Sequence, residues 1–285
     1  MKNHPGMEAM GLSALSDTNL SQREKSGMEK QPVENLLALA ASHLEQGNIP
    51  LAKIHYLSAL KKQPDLAIAW AGLARAFEIE GKQDQAVKVL ETGRKSSPDS
   101  AVLLAALGRL ERNRGNLEAS LASLEKAAAL AENNSDVLEE LAITHDLLGR
   151  MENAEPLYRK VIELEPRRAS AHNNLGLNYI LQKRYGEAIP LFLQALRLDN
   201  MNKRYLNNLA SAYALNGDER RALAAFGLAT DRAAAYNNLG CIYMSEQKWD
   251  QAENAFKNAL DAKPSFYLKA HENLEQIKKM RALSD

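Results

Sequence analysis

Cysteine is almost absent from the sequence, since Cys241 is the only one among 285 residues. An intrachain disulfide is therefore impossible, and the fold must hold together without covalent crosslinks. An excess of charge is also lacking, because 36 basic side chains balance 36 acidic ones. Nucleic acids and anionic membranes attract basic proteins, so this balance gives no support for either as a partner.

Long apolar runs are missing too, and none approaches the roughly 20 residues that a membrane helix needs. Residues 1–31 lack the apolar core of a signal peptide and show no period, so we predict a disordered N-terminal tail. Taken as written, the chain is expected to be cytoplasmic. A different true start would instead suit a periplasmic protein associated with the outer membrane.

Motifs for catalysis and metal binding are not found. No two of the six histidines have an HxxxH or HExxH spacing, and there is no glycine-rich phosphate loop. Cys241 has no histidine near it in sequence and is predicted to be a small lining residue. His43, His145 and His172 are expected to pack in the core. We therefore predict a protein that is not an enzyme, with no catalytic residue, metal site or cofactor.

What the sequence does contain is a repeat of 34 residues. The tetrapeptide NNLG at 173–176 returns as NNLA at 207–210 and as NNLG at 237–240. Leucine recurs in this frame and is always followed by alanine or glycine, with a small residue twelve positions later and a bulky one four beyond that. The leucines of the frame are Leu39, Leu73, Leu107, Leu141, Leu175, Leu209 and Leu239.

Each half of a repeat has apolar residues at the spacing of an amphipathic helix. The first helix is expected to end at a glycine in the middle of the repeat, where glycine adopts the left-handed conformation at little cost; these glycines stand at 47, 81, 115, 149 and 217. The second helix is expected to end at a proline, found at 64, 98, 166 and 264. One such hairpin cannot bury its own apolar face, so neighbouring hairpins must stack.

This pattern resembles the tetratricopeptide repeat (TPR) family. The fifth repeat reads HNNLGLNYILQKRYGEAIPLFLQAL and matches the family signature at Leu175, Gly176, Tyr179, Ala188, Phe192 and Ala195. The resemblance implies an all-α, right-handed TPR solenoid of about seven helix-turn-helix repeats over residues 32–266, with a capping helix and tail over 267–285. The predicted repeats are 33–66, 67–100, 101–134, 135–168, 169–202, 203–232 and 233–266.

The sixth repeat is four residues shorter than the others. Four residues are close to one helical turn, so we predict that its second helix loses one turn. The next helix is expected to begin at Asp231 or Arg232. The deletion is either a tolerated change on the outer side or a local change of pitch that shapes a binding surface.

In families of this kind the first helix of each repeat lines a concave groove, so the resemblance implies a protein or peptide partner held there. The candidate partner-binding residues are paired amides with apolar neighbours in repeats 5 to 7 and charged side chains in repeats 3 and 4. They are Asn173, Asn174, Asn207, Asn208, Asn237, Asn238, Leu177, Leu181, Arg109, Arg112, Asp136, Glu139 and Glu140.

Two interpretations stay open for each group. The amides, which carry both donors and an acceptor, could bond to the backbone of an extended peptide, or they could bond neighbouring helices to one another. The acidic cluster of repeat 4 could attract a basic ligand, or it could pair internally with Arg109 and Arg112. We favour the internal pairing.

A finer resemblance covers residues 173–226, which are similar to the TPR protein of tight-adherence (Tad/Flp) pilus assembly systems. The matching features are YALNGD after NNLA and the shortened repeat. Such proteins are usually lipoproteins that assist an outer-membrane secretin, whereas the only cysteine here is Cys241 and no lipobox is present. The resemblance implies a scaffold for pilus assembly and secretion. The alternatives are an accessory subunit that recruits substrates to an enzyme and a homo-oligomeric spacer.

Overall fold

The computed structural model describes residues 30–263 and 268–282, without the side chain of Ala282. The tail predicted to be disordered lies outside these residues except for its last two positions, and Pro264 lies outside them as well. The described residues form fifteen α-helices and no strand, which confirms the all-α TPR fold class. The helices are α1 (Val33–Glu45), α2 (Ile49–Lys62), α3 (Ala67–Ile79), α4 (Gln83–Ser96), α5 (Ala101–Asn113), α6 (Leu117–Leu130), α7 (Ser135–Leu147), α8 (Met151–Leu164), α9 (Ala169–Leu181), α10 (Tyr185–Leu198), α11 (Lys203–Leu215), α12 (Glu219–Ala229), α13 (Arg232–Ser245), α14 (Trp249–Ala262) and α15 (Leu268–Ala282).

The chain divides after Gly149 into two compact units, with α1–α7 in unit 1 and α8–α15 in unit 2. Odd-numbered helices up to α13 are the first helices of the repeats, and even-numbered ones are the second helices. The core of unit 1 contains Trp70 and Phe77, and that of unit 2 contains Phe226, Phe256 and Tyr243. In both units the large rings lie beside alanine and glycine of the neighbouring helices, as the repeat pattern predicts.

The large residue near the start of a first helix also forms a polar contact with the preceding repeat. The Nε1–H of Trp70 donates to the carbonyl oxygen of Pro64 at 2.8 Å. His172 occupies the same repeat position in unit 2, and its Nε2 lies 2.9 Å from the carbonyl oxygen of Pro166. Both side chains are buried, so the expected packing role of His172 is confirmed.

The turn inside each repeat requires a left-handed residue, as predicted. The glycines at 47, 81, 115, 149 and 217 have φ angles between 71° and 87°. Repeats 5 and 7 lack this glycine, and Lys183 and Gln247 adopt the conformation instead, with φ of 60° and 57°. A residue with a Cβ is strained there, since its Cβ crowds the backbone.

Lys183→Gly and Gln247→Gly are each expected to raise the free energy of unfolding by about 0.5–1 kcal/mol, because glycine relieves this strain. Urea unfolding followed by circular dichroism measures the change. The matched control is Glu246→Gly, one residue before Gln247 and in right-handed backbone (φ −88°), where glycine is expected to destabilise. Equal effects of glycine at 246 and 247 would contradict the prediction.

The second helix of the sixth repeat is shorter than the others, as predicted. Its second helix, α12, has 11 residues, whereas the other second helices have 14 each. The next helix begins at Arg232, and the side chain of Asp231 caps it by accepting a hydrogen bond from the Ala234 amide at 2.8 Å.

Helix α15 covers the last repeat of unit 2 and presents a polar outer side. It buries Ala270 and Ile277 in the core of that unit, while Lys269, Gln276 and Lys279 are exposed. Arg281 forms ion pairs with Asp250 at 2.5 Å and with Glu253 at 3.5 Å on α14.

Candidate partner-binding site

The paired asparagines lie on the first helices of repeats 5, 6 and 7, which are α9, α11 and α13 of unit 2. Asn173 is only 1% exposed, and its Oδ1 accepts a hydrogen bond of 2.7 Å from the Nδ2 of Asn208. Its own Nδ2 donates to the Oδ1 of Asn174 at 3.1 Å. One amide of repeat 6 thus bonds α11 to α9.

A second bond of this kind joins α13 to α15. The Nδ2 of Asn273 donates to the Oδ1 of buried Asn237 at 3.1 Å and lies 3.6 Å from the Sγ of Cys241. Asn273 was not among the candidates predicted from the sequence, although AHENL at 270–274 repeats AHNNL at 171–175.

The corresponding bond between α11 and α13 is not formed. The Oδ1 of Asn207 is buried, and it has no hydrogen-bond partner within the described ranges. This is the step at which the second helix is three residues shorter than in every other described repeat. The rise of a helix is about 1.5 Å per residue, so three residues shorten α12 by roughly 4.5 Å, and the missing bond coincides with this change.

For Asn173, Asn208 and Asn237, the observed bonds agree with the interpretation that the amides connect neighbouring helices. Peptide binding by the amides stays a prediction.

Asn173→Ala and Asn208→Ala are expected to show a coupling of about 1 kcal/mol in a double-mutant cycle, because each removes the same partly buried hydrogen bond. Chemical unfolding of the two single variants and the double variant measures it. The pair Asn207→Ala and Asn238→Ala, at equivalent positions without the bond, is the control and is expected to be additive. A coupling of similar size in both cycles would contradict the assignment.

Nine side chains at three equivalent repeat positions form what we call the amide face of unit 2. Residues three, four and seven positions apart lie on one side of a helix, and Asn208 of this side bonds α11 to α9. On α9, Leu177 and Leu181 are 37% and 52% exposed. The amide face comprises Asn174, Leu177, Leu181, Asn208, Ser211, Leu215, Asn238, Cys241 and Ser245.

Cys241 is half-buried on this face, as expected of a small lining residue. Burial raises the pKa of its thiol, and this outweighs the opposing effect of the hydrogen bond from Asn273 and of the charge of Lys269. A thiol with a raised pKa stays protonated and is a poor nucleophile.

The charged candidates of repeats 3 and 4 lie in unit 1, and Arg109, Arg112 and Glu140 form ion pairs. Arg112 pairs with Glu140 at 2.5 Å, so the favoured internal pairing is confirmed for these two residues. For Arg109 that prediction is wrong, since its Nη2 lies 3.0 Å from Glu78 of the preceding repeat. Arg109 and Arg112 are one helical turn apart on α5, and the side chain of Arg109 reaches Glu78 on α3, whereas that of Arg112 reaches α7. Of the remaining candidates, Glu139 is buried and Asp136 is exposed.

Sequence profiles described as tetratricopeptide repeat match residues 37–101, 105–166 and 173–238, and related profiles match 136–201 and 233–266. The chain belongs to the tetratricopeptide repeat family. TPR proteins generally mediate interactions between proteins, and the TPR fold is generally a non-catalytic scaffold.

Solved TPR structures share this fold at low sequence identity. A tetratricopeptide repeat protein from Parabacteroides merdae has a TM-score of 0.58 at 17% identity, over 86% of this chain and 98% of that one. PilF of Pseudomonas aeruginosa has a TM-score of 0.61 at 21% identity, over 76% and 96%. PilW, a type IV pilus biogenesis factor, has 0.61 at 19% identity, over 69% and 91%. Among curated protein sequences there is no match.

Within residues 30–263 and 268–282, no helix is long and apolar enough to cross a membrane. In the same residues, no group of three or more His, Cys, Asp or Glu side chains is arranged to hold a metal ion.

Proposed function

We propose that this TPR protein is a non-catalytic scaffold that binds an extended segment of a partner protein on the amide face. The observation that carries the proposal is the exposure of Leu177 and Leu181, one turn apart on α9, beside the amides of α9 and α11. Apolar side chains of a partner would bury these leucines, which is favourable by about 25 cal/mol per Å² of apolar surface. Amide groups can bond the backbone of an extended chain whatever its sequence.

The setting that we propose is pilus assembly, in a system of the Tad/Flp kind. Two facts support it: residues 173–226 resemble the TPR protein of such systems, and the fold is shared with PilF and with PilW, a type IV pilus biogenesis factor. The partner would then be another component of the assembly machinery.

Leu177→Ser combined with Leu181→Ser is expected to reduce recovery of the partner at least about tenfold, since two apolar contacts of roughly 1 kcal/mol each or more are lost. The measurement is a tagged pull-down from native lysate, with quantitative mass spectrometry of the bound proteins. Leu228→Ser is the matched control, because Leu228 is 58% exposed on the second helix α12 and lies outside the amide face.

Circular dichroism checks that all variants remain folded. A partner that is lost only from the double variant supports the amide face, and its identity decides between pilus assembly and an enzyme complex. Equal recovery by the wild type, the double variant and the control would contradict binding at this face.

A further inference from the structure

Carboxylates are absent from the three helices that carry the amide face. Helices α9, α11 and α13 contain no Asp or Glu, and their basic residues are Lys203, Arg204 and Arg232. The first helices of unit 1 differ, because each has at least one carboxylate: Glu34 on α1, Glu78 on α3, Glu111 on α5 and Asp136 on α7. The amide face is therefore bordered by positive charge alone along these three helices.

The basic residues lie at the N-terminal ends of α11 and α13. First helices run in the same direction, since each is followed by an antiparallel second helix, so their N-terminal ends meet at one edge. Arg204 is one turn before Asn208 and so extends the stripe of the amide face toward that edge. The partial positive charge of the helix N-termini adds to that of the side chains.

These cations are exposed, and in residues 30–263 and 268–282 they form no ion pair. Arg204 lies over the ring of its neighbour Tyr205 at 5.2 Å from the centroid, and Arg232 lies over Tyr236 at 5.8 Å. Within the described ranges neither arginine forms an ion pair, and Lys203 is exposed as well.

Two acids near this edge have polar partners. Asp231 caps α13 and lies 3.9 Å from the Nζ of Lys263, while Asp199 accepts a hydrogen bond of 2.7 Å from Asn202. Exposed carboxylates return on α15, at Glu272 and Glu275, where the acid-free surface ends.

We propose that the partner segment is acidic as well as apolar, with apolar side chains against Leu177 and Leu181 and carboxylates at Arg204 and Arg232. This inference rests on the proposed function and names the chemistry of its partner. A basic segment would meet no carboxylate on α9, α11 or α13 and would be repelled at their N-terminal edge. An acidic one is attracted over a distance of about one Debye length, roughly 8 Å at physiological salt.

The test selects a library of random displayed peptides on the immobilised full chain and sequences those enriched. Enriched peptides are expected to contain more Asp and Glu than Lys and Arg, together with large apolar residues. The strongest peptide is then labelled, and its affinity is measured by fluorescence anisotropy for the wild type and for variants.

Arg204→Glu combined with Arg232→Glu is expected to lower the affinity for the peptide about tenfold. Rising salt is expected to lower the affinity of the wild type for the same peptide. The matched control is Arg220→Glu, which makes the same charge change as each of these two substitutions, but at an exposed position of the second helix α12, and it is expected to leave the affinity unchanged. The Arg204→Glu and Arg232→Glu double variant and the Arg220→Glu control must both keep the helical circular dichroism of the wild type.

The outcomes separate the two proposals. Enriched peptides that are basic or uncharged, yet lose binding to the Leu177→Ser and Leu181→Ser double variant, would overturn the acidic partner and leave the scaffold function standing. An equal loss of affinity with Arg220→Glu and with the Arg204→Glu and Arg232→Glu double variant would also overturn the acidic partner. Peptides that bind the leucine double variant as well as the wild type, or a selection that enriches none, would overturn binding at the amide face itself.

Discussion

Gly240→Ala is expected to lower the free energy of unfolding of unit 2 by about 2–3 kcal/mol, in the range of overpacked cores. A Cβ at position 240 would lie 2.5 Å from Cε1 and 2.7 Å from Cδ1 of Phe256. The ring of Phe256 is fully buried, so it cannot move aside without displacing its neighbours on α13 and α14. The variant must either separate the two helices or twist the ring from its preferred rotamer.

Urea unfolding followed by circular dichroism measures the effect. The control is Gly227→Ala on α12, where a Cβ would meet nothing within 4 Å. Gly227→Ala is expected to raise the free energy of unfolding by about 0.5–1 kcal/mol, because alanine is the better helix former. Loss of stability in both variants, or in neither, would show that close packing of Phe256 on position 240 is not the cause.

Glu155→Ala is expected to destabilise unit 2 by about 2 kcal/mol, in the range for hydrogen bonds to a charged group. The Oε1 of Glu155 accepts from Arg159 at 2.8 Å and from the Tyr179 hydroxyl at 3.0 Å, and its Oε2 accepts from Arg184 at 2.8 Å. Arg184 also lies over the ring of Tyr179 at 4.0 Å from its centroid. Removal of the carboxylate leaves two arginines facing one tyrosine without their shared acceptor.

The same carboxylate predicts a pH dependence. Burial tends to raise the pKa of Glu155, but hydrogen bonds from Arg159, Gln182, Tyr179 and Arg184 outweigh it and lower the pKa from 4.5 to about 2. A carboxyl group whose pKa is lower in the folded chain stabilises the fold above its unfolded pKa, and this contribution is lost as the pH falls. Between pH 4.5 and about 2 the wild type is therefore expected to lose more stability than Glu155→Gln.

The comparison is made by urea unfolding at a series of pH values. Glu163→Gln, on the exposed side of the same helix, is the control, since Glu163 forms no ion pair within the described part of α8 and its neighbours. A wild type and a Glu155→Gln variant that lose stability in parallel over this window would contradict the role of the network.

Most of the fold could be predicted from the spacing of apolar residues and glycines, because these act on the backbone within a few residues. A stripe of apolar residues every three or four positions specifies an amphipathic helix whatever surrounds it. Glycine at 47, 81, 115, 149 and 217 specifies the left-handed turn for the same reason. The turns at Lys183 and Gln247 could be expected only from the period, since neither residue favours that conformation.

The candidate site was less predictable. Spacing places a pair of asparagines at the same position of each of three helices, but it gave two interpretations of them with equal support. The structure pairs Asn208 with Asn173 and Asn273 with Asn237, and it leaves the Oδ1 of Asn207 unpaired. Sequence also assigned Arg109 to the acids of repeat 4, whereas its partner is Glu78 of repeat 2.

By itself, then, the sequence determined the helices, their order, the turns and the membership of the repeat family, because the hydrophobic period and the backbone preferences of glycine act within a few residues. Tertiary structure alone decided which amides and charges meet. A hydrogen bond between two repeats tolerates a displacement of only a few tenths of an ångström, and the placement depends on the whole length of the helix between them. The shortened α12 illustrates this, since it lies at the step where the buried Oδ1 of Asn207 lacks the bond that Asn173 and Asn237 both form.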